Sequence, residues 1–403
     1  MINKQIMQFP IFYANAVPRI AFGWGVHETV ADECKAAKIK KALIVSTGLK
    51  GTGIVDEIKQ ILNYHGISTE VYDKVTTNPK DYQVMEAYQV FKDGECDGVV
   101  SVGGGSSHDC GKGVRAVAAN GGKHVIDFTV FLDEPWMEKL KEFNPSVIPQ
   151  VSVNTTCGTG AEITPFAAIT DTKERAKKMV RTANIAPVVS LDDPLLIRTM
   201  PKNIAAFTGF DALAHGFESS VTKVLSPFAV GLLLRGTKQI SQNIREFAYN
   251  RMDHKACENM LIAEKTISIG MCLGGGAGIV HGLGHQLGAL TDCLHGLSNG
   301  VLALAGERYN QPACVEKLAR LAKAMGADTT GKTKVQASDM WFDKMERLLD
   351  DLEIKPGHLN EQFGLQHKDL EHIVKIYSND LCQLGNPRDF NYDETIQILE
   401  SIM

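Results

Sequence analysis

Asp97-Gly-Val-Val-Ser-Val102, followed at once by Gly103-Gly-Gly-Ser-Ser-His-Asp109, carries the clearest information about the fold of this chain. A short, continuous apolar run predicts a buried strand, and the helical pattern after it extends to Ala119. The glycines in between let the backbone approach a ligand closely, and the helix N-terminus offers free N–H groups at its positive end. The turn therefore predicts an anion site, most simply for a pyrophosphate, to which Ser106 and Ser107 can add hydroxyl donors.

Strands and helices alternate on both sides of this turn, which predicts a parallel sheet covered by helices. The turn lacks the G-x-G-x-x-G spacing and does not follow the first strand, so a plain structural turn is the alternative. The other predicted strands are 41–46, 69–72 and 147–153, with a strand and turn within 11–24 and a β excursion at 167–170 and 179–182. The other predicted helices are 27–37, 51–64 and 79–94.

The pattern changes near Asp192-Asp-Pro194, and helical periodicity dominates beyond Asn203. We predict an α/β domain over about 1–190 and an all-helical domain over about 191–403. The helices predicted in the second domain are 203–219, 225–245, 253–273, 276–288, 295–307, 311–326, 335–351, 367–377 and 393–402.

The helical half contains one aspartate and four histidines in a spacing that suits a metal ion. Asp211 and His215 are four residues apart, as are His281 and His285, and His295 follows ten residues later. Residues i and i+4 lie on one helix face, so each pair can bind a single ion. A carboxylate with imidazoles suits a divalent first-row metal such as Fe²⁺ or Zn²⁺. The alternative is a set of separately hydrogen-bonded polar residues.

A second cluster of small polar residues, Asn154-Thr-Thr-Cys-Gly-Thr-Gly-Ala-Glu162, follows the strand predicted at 147–153. Its three threonine hydroxyls suit the edge of a ribose or a phosphate. An ordinary loop is the alternative.

Composition and charge exclude several classes of partner. The 403 residues carry a formal net charge of −5, with charged residues spread along the chain, which argues against nucleic acid or an anionic membrane. No apolar run is long enough to span a bilayer, and the first ten residues lack a signal pattern. Nine cysteines without a Cys-x-x-Cys pair predict reduced thiols and a cytoplasmic protein.

Taken in order, these segments resemble the iron-dependent (group III) alcohol dehydrogenases over nearly the whole chain. The segments that carry the resemblance are Gly103-Gly-Gly-Ser106 with Asp109 and Lys112, Thr155-Thr-Cys-Gly-Thr-Gly160, Gly209-Phe-Asp-Ala-Leu-Ala-His215, His281-Gly-Leu-Gly-His285, His295-Gly296 and Asn386-Pro-Arg388. The resemblance implies a Rossmann-like nucleotide domain, a helical metal domain and a site in the cleft between them. It also implies a homodimer that uses NAD and Fe²⁺, with Zn²⁺ or Mn²⁺ as alternative metals.

The resemblance assigns roles by position. Asp211, His215, His281 and His295 match the metal ligands, and His285 matches a histidine of proton transfer; spacing alone does not choose between His281 and His285. The residues matching the cofactor site are Gly103, Gly104, Gly105, Ser106 and Ser107 in the pyrophosphate turn, Asp109 and Lys112 in the helix after it, and Thr155, Thr156 and Thr159 on the nicotinamide side.

The chain departs from the family pattern in three places. Thr47 stands where many members have an aspartate that meets the adenosine ribose, which leaves NADP open beside the favoured NAD, with Lys50 as a counter-charge. Cys272 precedes His281 in place of an aromatic residue, and Phe166 lies where members vary with their substrate. We assign both to the substrate pocket, with plain packing as the alternative.

The sequence therefore predicts an oxidoreductase that interconverts a short-chain primary alcohol and its aldehyde. A diol, or a small anionic aldehyde such as sulfoacetaldehyde, lies within this range, and a basic side chain such as Arg181 facing the cleft would favour the anionic substrate. A dehydroquinate synthase-like lyase on the same architecture is one alternative, although no basic cluster for its phosphate is evident. A non-catalytic metal or nucleotide sensor is the other.

Overall fold

The computed structural model describes residues 17–132 and 136–403, and its first half is built from eight strands and five helices. The strands are β1 (Arg19–Phe22), β2 (Lys41–Ser46), β3 (Ser68–Tyr72), β4 (Gly98–Gly103), β5 (Gln150–Asn154), β6 (Ala167–Asp171), β7 (Ala176–Val180) and β8 (Val189–Asp192). The helices are α1 (Val30–Ala36), α2 (Ile54–Tyr64), α3 (Asp81–Asp93), α4 (Gly105–Ala119) and α5 (Trp136–Lys139), with 3-10 turns at Val26–Thr29, Val125–Phe128 and Leu140–Glu142.

Six of the strands form one parallel sheet in the order β1-β8-β5-β4-β2-β3, and β6 and β7 form a separate antiparallel hairpin. β4 pairs with β2 on one side and with β5 on the other, so its apolar residues are buried on both faces of the sheet. The chain order reverses between β2 and β4. Ligands of such sheets bind at the carboxyl ends of the strands beside this reversal, which is where the glycine turn lies.

The second half is helical. Its helices are α6 (Pro194–Ile197), α7 (Lys202–Val221), α8 (Pro227–Tyr249), α9 (His254–Cys272), α10 (Ile279–Thr291), α11 (His295–Ala324), α12 (Lys334–Asp351), α13 (Leu359–Phe363), α14 (His367–Tyr377) and α15 (Tyr392–Glu400), with a 3-10 turn at Leu381–Leu384. Every residue of 209–221 in α7 is buried. A helix that is buried all round holds its side chains rigidly, and this one carries the Asp211–His215 pair.

The α/β fold with a helical second half is confirmed, and the structure corrects several element boundaries. Strand β8 was not predicted, because four residues are too few to show a clear periodicity. This strand spans the domain boundary proposed near residue 190. The two helices predicted at 295–307 and 311–326 are joined within α11, and the kink between them lies at Cys314, just after Pro312, rather than at 308–310. The strand predicted at 147 begins at Gln150.

Part of the predicted strand and turn within 11–24, and the whole of the first ten residues, lie outside the described part of the chain. The remainder of that prediction is confirmed by β1. Within the described residues, no helix has the length and apolar character needed to cross a membrane.

Candidate active site

Asp211, His215, His281 and His295 come together although they lie on three helices. Asp211 and His215 occupy one face of α7, His281 lies in the first turn of α10, and His295 begins α11. The Asp211 Oδ1 atom lies 3.5 Å from His281 Nε2 and 3.7 Å from His295 Nε2. The His215 Nδ1 atom lies 3.9 Å from the same oxygen. The donor atoms of Asp211, His281 and His295 thus lie within 4.8 Å of one another, and His215 lies beside them.

The protonation of this cluster suits a cation. Burial alone would raise the pKa of the Asp211 carboxyl, but the facing histidines hold it far below its usual range. Burial lowers the pKa of His215 to about 3 and that of His295 well below its usual value, so both rings are neutral. Among the described residues, His215 Nδ1 and His295 Nδ1 are buried without a hydrogen-bond partner. The unpartnered His215 Nδ1, the His295 Nε2 that faces Asp211 and the anionic carboxylate fit a divalent metal such as Fe²⁺.

Glu218 joins the two helices that supply the ligands. It lies on α7, seven residues after Asp211, and its carboxylate accepts hydrogen bonds from the backbone N–H groups of Gly278 (3.0 Å) and Val280 (2.8 Å) at the start of α10. The same carboxylate contacts His281 Nδ1, which turns Nε2 of that ring toward Asp211. The sequence analysis missed Glu218, although a carboxylate at i+7 on the ligand face of α7 was a usable signal.

The charge around His281 differs from that around the other two ligands. Burial opposes its protonation, but the carboxylates of Glu218 and Asp211 raise the pKa of His281 to about 9. Asn299 lies within the same cluster, where its Nδ2 donates to Asp211 Oδ1 at 2.8 Å and lies 3.1 Å from His281 Nε2. A metal ion would therefore displace a proton from His281 and the amide of Asn299 from the centre of the cluster.

His285 lies beside the four candidate ligands. Its ring stacks on that of His295 with a centroid distance of 5.0 Å, and it lines the adjoining cleft. Its Nδ1 atom, 3.9 Å from Asp380 Oδ2, is buried without a hydrogen-bond partner. Asp380 is itself held by the backbone N–H of Cys382 at 2.7 Å. The structure thus separates His285, which faces Asp380, from His281, which faces Asp211. The sequence analysis did not identify Asp380, because no pattern marks it.

The glycine turn and the threonine loop form one surface at the mouth of the sheet. A Cβ atom on Gly104 would lie 2.7 Å from Thr156 Cγ2, and one on Gly105 would lie 2.8 Å from Thr159 Cγ2. Side chains at these two positions would therefore collide with the loop. The bare backbone that results, at the N-terminus of α4, fits the pyrophosphate of a dinucleotide.

This surface opens into a cleft of about 450 Å³, a volume typical of small-molecule sites, which reaches the candidate ligands. Asp211, His215, His285 and His295 line its inner end. The predicted cofactor residues that line it are Thr47, Gly104, Gly105, Ser106, Asp109, Thr155, Thr156 and Thr159. A hydride acceptor and a metal could therefore face each other across this space.

Three predicted cofactor residues do not line the cleft. Gly103 and Ser107 are buried behind the turn, where a Cβ on Gly103 would meet the Ser107 hydroxyl. Lys112 points into the protein, and its ammonium donates to Asp109 Oδ1 at 3.0 Å and to the carbonyl of Phe166 at 2.6 Å. The position of Lys112 on α4 turns its side chain away from the cleft. Lys112 therefore stabilises Asp109 and the segment before β6.

The predicted substrate residues divide in the same way. Phe166 lines the cleft, but Cys272 does not, because the last turn of α9 directs it against the carbonyl of Ile163 at 4.0 Å. Arg181 is not among the lining residues, whereas Lys177 is. The Lys177 ammonium donates to Asn78 Oδ1 at 2.7 Å, and burial lowers the pKa of this lysine to about 8. The inner cleft therefore contains a basic group that the sequence did not single out.

Both halves of the chain match known family models. Residues 18–194 match the model described as iron-containing alcohol dehydrogenase. Residues 205–403 match the model described as the C-terminal part of the Fe-containing alcohol dehydrogenase family.

Similar proteins match over almost the full length of the chain. Methanol:N,N-dimethyl-4-nitrosoaniline oxidoreductase of Mycobacterium sp. (strain DSM 3803 / JC1) is 35% identical over 98% of this chain and 97% of its own. NAD-dependent methanol dehydrogenase of Bacillus methanolicus is 31% identical over 96% of this chain and 98% of its own. A crystal structure of 1,3-propanediol oxidoreductase gives a TM-score of 0.89 at 32% identity, covering 98% of this chain and 100% of the other.

Proposed function

Since this chain belongs to the iron-containing alcohol dehydrogenase family, we propose that it interconverts a short-chain primary alcohol or diol and the matching aldehyde. It is an NAD-dependent alcohol dehydrogenase whose cofactors are iron and NAD. The proposal concerns the substrate and the residues that act on it. Family membership sets aside the lyase and the sensor that the sequence left as alternatives.

One observation carries the proposal: three of the four candidate metal ligands, Asp211, His215 and His295, line the same cleft as the glycine turn. When bound, iron supplies Lewis-acid polarisation of the substrate oxygen, and NAD supplies the hydride acceptor. Asp211, His215, His281 and His295 would hold the iron, with Glu218 fixing the orientation of His281. The turn at Gly104 and Gly105 would hold the pyrophosphate of NAD.

His285 is placed to move the proton of the reaction. Burial lowers its pKa, so its ring is neutral and able to accept a proton from the substrate hydroxyl at the inner cleft. The Asp380 carboxylate, 3.9 Å from Nδ1, would stabilise the imidazolium that forms. In the aldehyde direction the same ring would return the proton to the product oxygen.

The inner cleft suits a short substrate. Phe166, Phe207 and Leu294 line it with apolar surface. The similar proteins are named for methanol and 1,3-propanediol, which supports substrates of one to three carbons. Lys177 favours a second candidate, a small aldehyde with an anionic group, because its ammonium could pair with that group.

A substrate panel tests the proposal. The iron-loaded protein would be assayed anaerobically with methanol, ethanol and 1,3-propanediol plus NAD, and with neutral and anionic short aldehydes plus NADH. N,N-dimethyl-4-nitrosoaniline would serve as a second electron acceptor, because one similar protein is named for it. We expect the highest kcat/KM for a neutral substrate of one to three carbons. A preference for an anionic aldehyde that Lys177→Met abolishes would favour the second candidate, and no rate with any of these substrates would refute both.

The predicted cytoplasmic location and homodimer remain proposals, as does the division of the chain near residue 190. Placing that division after Asp192 would keep strand β8 intact.

A further inference from the structure

Four charged residues meet in the interior between the nucleotide half and the helical half. The Lys265 ammonium lies 3.0 Å from Asp192 Oδ1 and 2.8 Å from Glu264 Oε2, and it contacts Glu162 Oε1. All four side chains are buried, with exposures of 5% or less. Lys265 and Glu264 belong to α9, Asp192 ends β8, and Glu162 closes the loop after β5. The cluster therefore joins helix α9 of the helical half to the end of β8 and to the loop after β5.

Hydrogen bonds continue from this cluster to the cofactor loop. The Asn154 side chain donates from Nδ2 to Asp192 Oδ1 at 3.1 Å, and its Oδ1 accepts from the backbone N–H of Thr156 at 3.1 Å. Thr156 in turn packs against Gly104 of the pyrophosphate turn. Lys265 is thus linked in three steps to Thr156, which lines the cleft.

The helix α9 also presses directly on this loop. A Cβ on Gly160 would lie 2.3 Å from the hydroxyl of Ser268, and Ser268 donates to Glu264 Oε1 at 2.8 Å. Gly160 has φ +62°, a conformation that few residues other than glycine adopt. The loop over 154–162 is therefore held at both ends by groups attached to α9.

Lys265 stabilises this arrangement because its ammonium offsets the negative charge of the three carboxylates. A buried ammonium is costly unless it is paired, and three carboxylates packed without a cation would repel one another. Burial raises the pKa of both Asp192 and Glu264 and lowers the pKa of Lys265 well below its usual value, so the four groups hold one another in place by shared protons as well as by charge. Without Lys265 the carboxylates would be left in contact, and the loop they anchor would move to separate them.

We propose that Lys265 is a positioning residue, which holds the loop over 154–162 in the shape that receives the nicotinamide half of NAD. The described contacts of Lys265 include no candidate metal ligand. Lys265 acts on Thr156 through Asp192 and Asn154. The adenosine half of the cofactor site, at Thr47 and Lys50, lies on a different loop and does not depend on it.

The test compares two ligands on the iron-loaded protein by calorimetry, NAD and ADP-ribose, which lacks only the nicotinamide ring. We expect Lys265→Met to weaken NAD binding about tenfold or more, since loss of a group that supports a site typically costs about 10- to 100-fold. ADP-ribose affinity should change by less than about twofold. Lys265→Arg, which keeps the charge, should restore part of the NAD affinity. Lys317→Met is the matched control, because Lys317 is partly buried on the carbonyls of Val221 and Thr222.

Equal weakening of NAD and ADP-ribose, or unchanged NAD affinity in a folded Lys265→Met protein, would overturn the proposal. If Lys265→Met does not fold, Asn154→Ala decides, because it cuts the link to Thr156 without changing the charge of the cluster. We expect that variant to show the same selective loss of NAD, and the absence of this loss would overturn the proposal equally. The readout needs no alcohol substrate, so an error in the proposed substrate leaves the result intact.

Discussion

Replacement of Glu218 by glutamine should weaken iron binding while the protein stays folded. The carboxylate of Glu218 contacts His281 Nδ1 and accepts the backbone N–H groups of Gly278 and Val280. Glutamine keeps one oxygen for the backbone donors but presents an amide in place of the second oxygen. The ring of His281 then loses the partner that turns Nε2 toward Asp211.

The magnitude follows from what each variant leaves unpaired. Loss of a carboxylate that orients a metal-ligating histidine costs about 10- to 100-fold in metal affinity. Glu218→Ala would in addition leave the buried backbone N–H groups of Gly278, Val280 and His281 unsatisfied, at about 1–3 kcal/mol each. We therefore expect Glu218→Gln to fold and bind iron weakly, and Glu218→Ala to lose much of its stability as well.

The assay measures iron retained against a graded series of chelator concentrations, with circular dichroism to confirm folding. Asp193→Asn is the control, because Asp193 is also a buried carboxylate beside a histidine, with Oδ2 2.5 Å from His27 Nδ1, and it does not line the cleft. That variant should bind iron as the unaltered protein does. If Glu218→Gln binds iron as tightly as Asp193→Asn, the Glu218 carboxylate does not position His281 and the reasoning is wrong.

Three further predictions concern the same cleft. His285→Ala should retain iron and lower kcat by about 10²- to 10⁴-fold, the usual contribution of a proton-transfer group, whereas loss of iron would make His285 a ligand. Metal affinity should rise with pH, since the pKa of His281 is raised to about 9 and the ion must displace the His281 proton at lower pH. Competition titrations between pH 6 and 8 should show metal affinity rising by up to about tenfold per pH unit. A metal affinity that does not change with pH would contradict this prediction. Gly105→Ala should weaken NAD binding by about tenfold or more, because its methyl group would lie 2.8 Å from Thr159 Cγ2. An unchanged NAD dissociation constant would show that the turn accommodates the methyl group without losing affinity for NAD.

Sequence spacing predicted which helices carry the metal cluster but not which histidine of α10 faces it. His281 and His285 lie one turn apart on the same helix face, so periodicity treats them alike. In the structure the difference comes from partners distant in sequence: Glu218 lies beside Nδ1 of His281 and Asp380 beside Nδ1 of His285. The family resemblance also assigns His281 as the metal ligand and His285 to proton transfer, and the described contacts give a physical basis for this distinction. The two roles remain proposals.

Burial was the second property that the sequence did not reveal. The resemblance assigned Asp109 and Lys112 to the cofactor site, yet the lysine is fully buried and pairs with the aspartate. Cys272 was placed in the substrate pocket because it precedes His281 where family members carry an aromatic residue, but the last turn of α9 directs it against the carbonyl of Ile163. Lys177 lies on a short hairpin strand with no distinctive pattern, so its place in the cleft emerged only from the packing of β7 against α10.

The most direct test of the account is an anaerobic titration of chelator-treated protein with Fe²⁺, in which NADH oxidation by a short aldehyde is followed alongside bound iron. We expect no rate without metal, a rate that rises with bound iron to a plateau, and neither iron nor rate in Asp211→Ala. A full rate in the metal-free protein, or an Asp211→Ala protein that binds iron and turns over as well as the unaltered chain, would contradict the assignment of this cluster as the catalytic metal site.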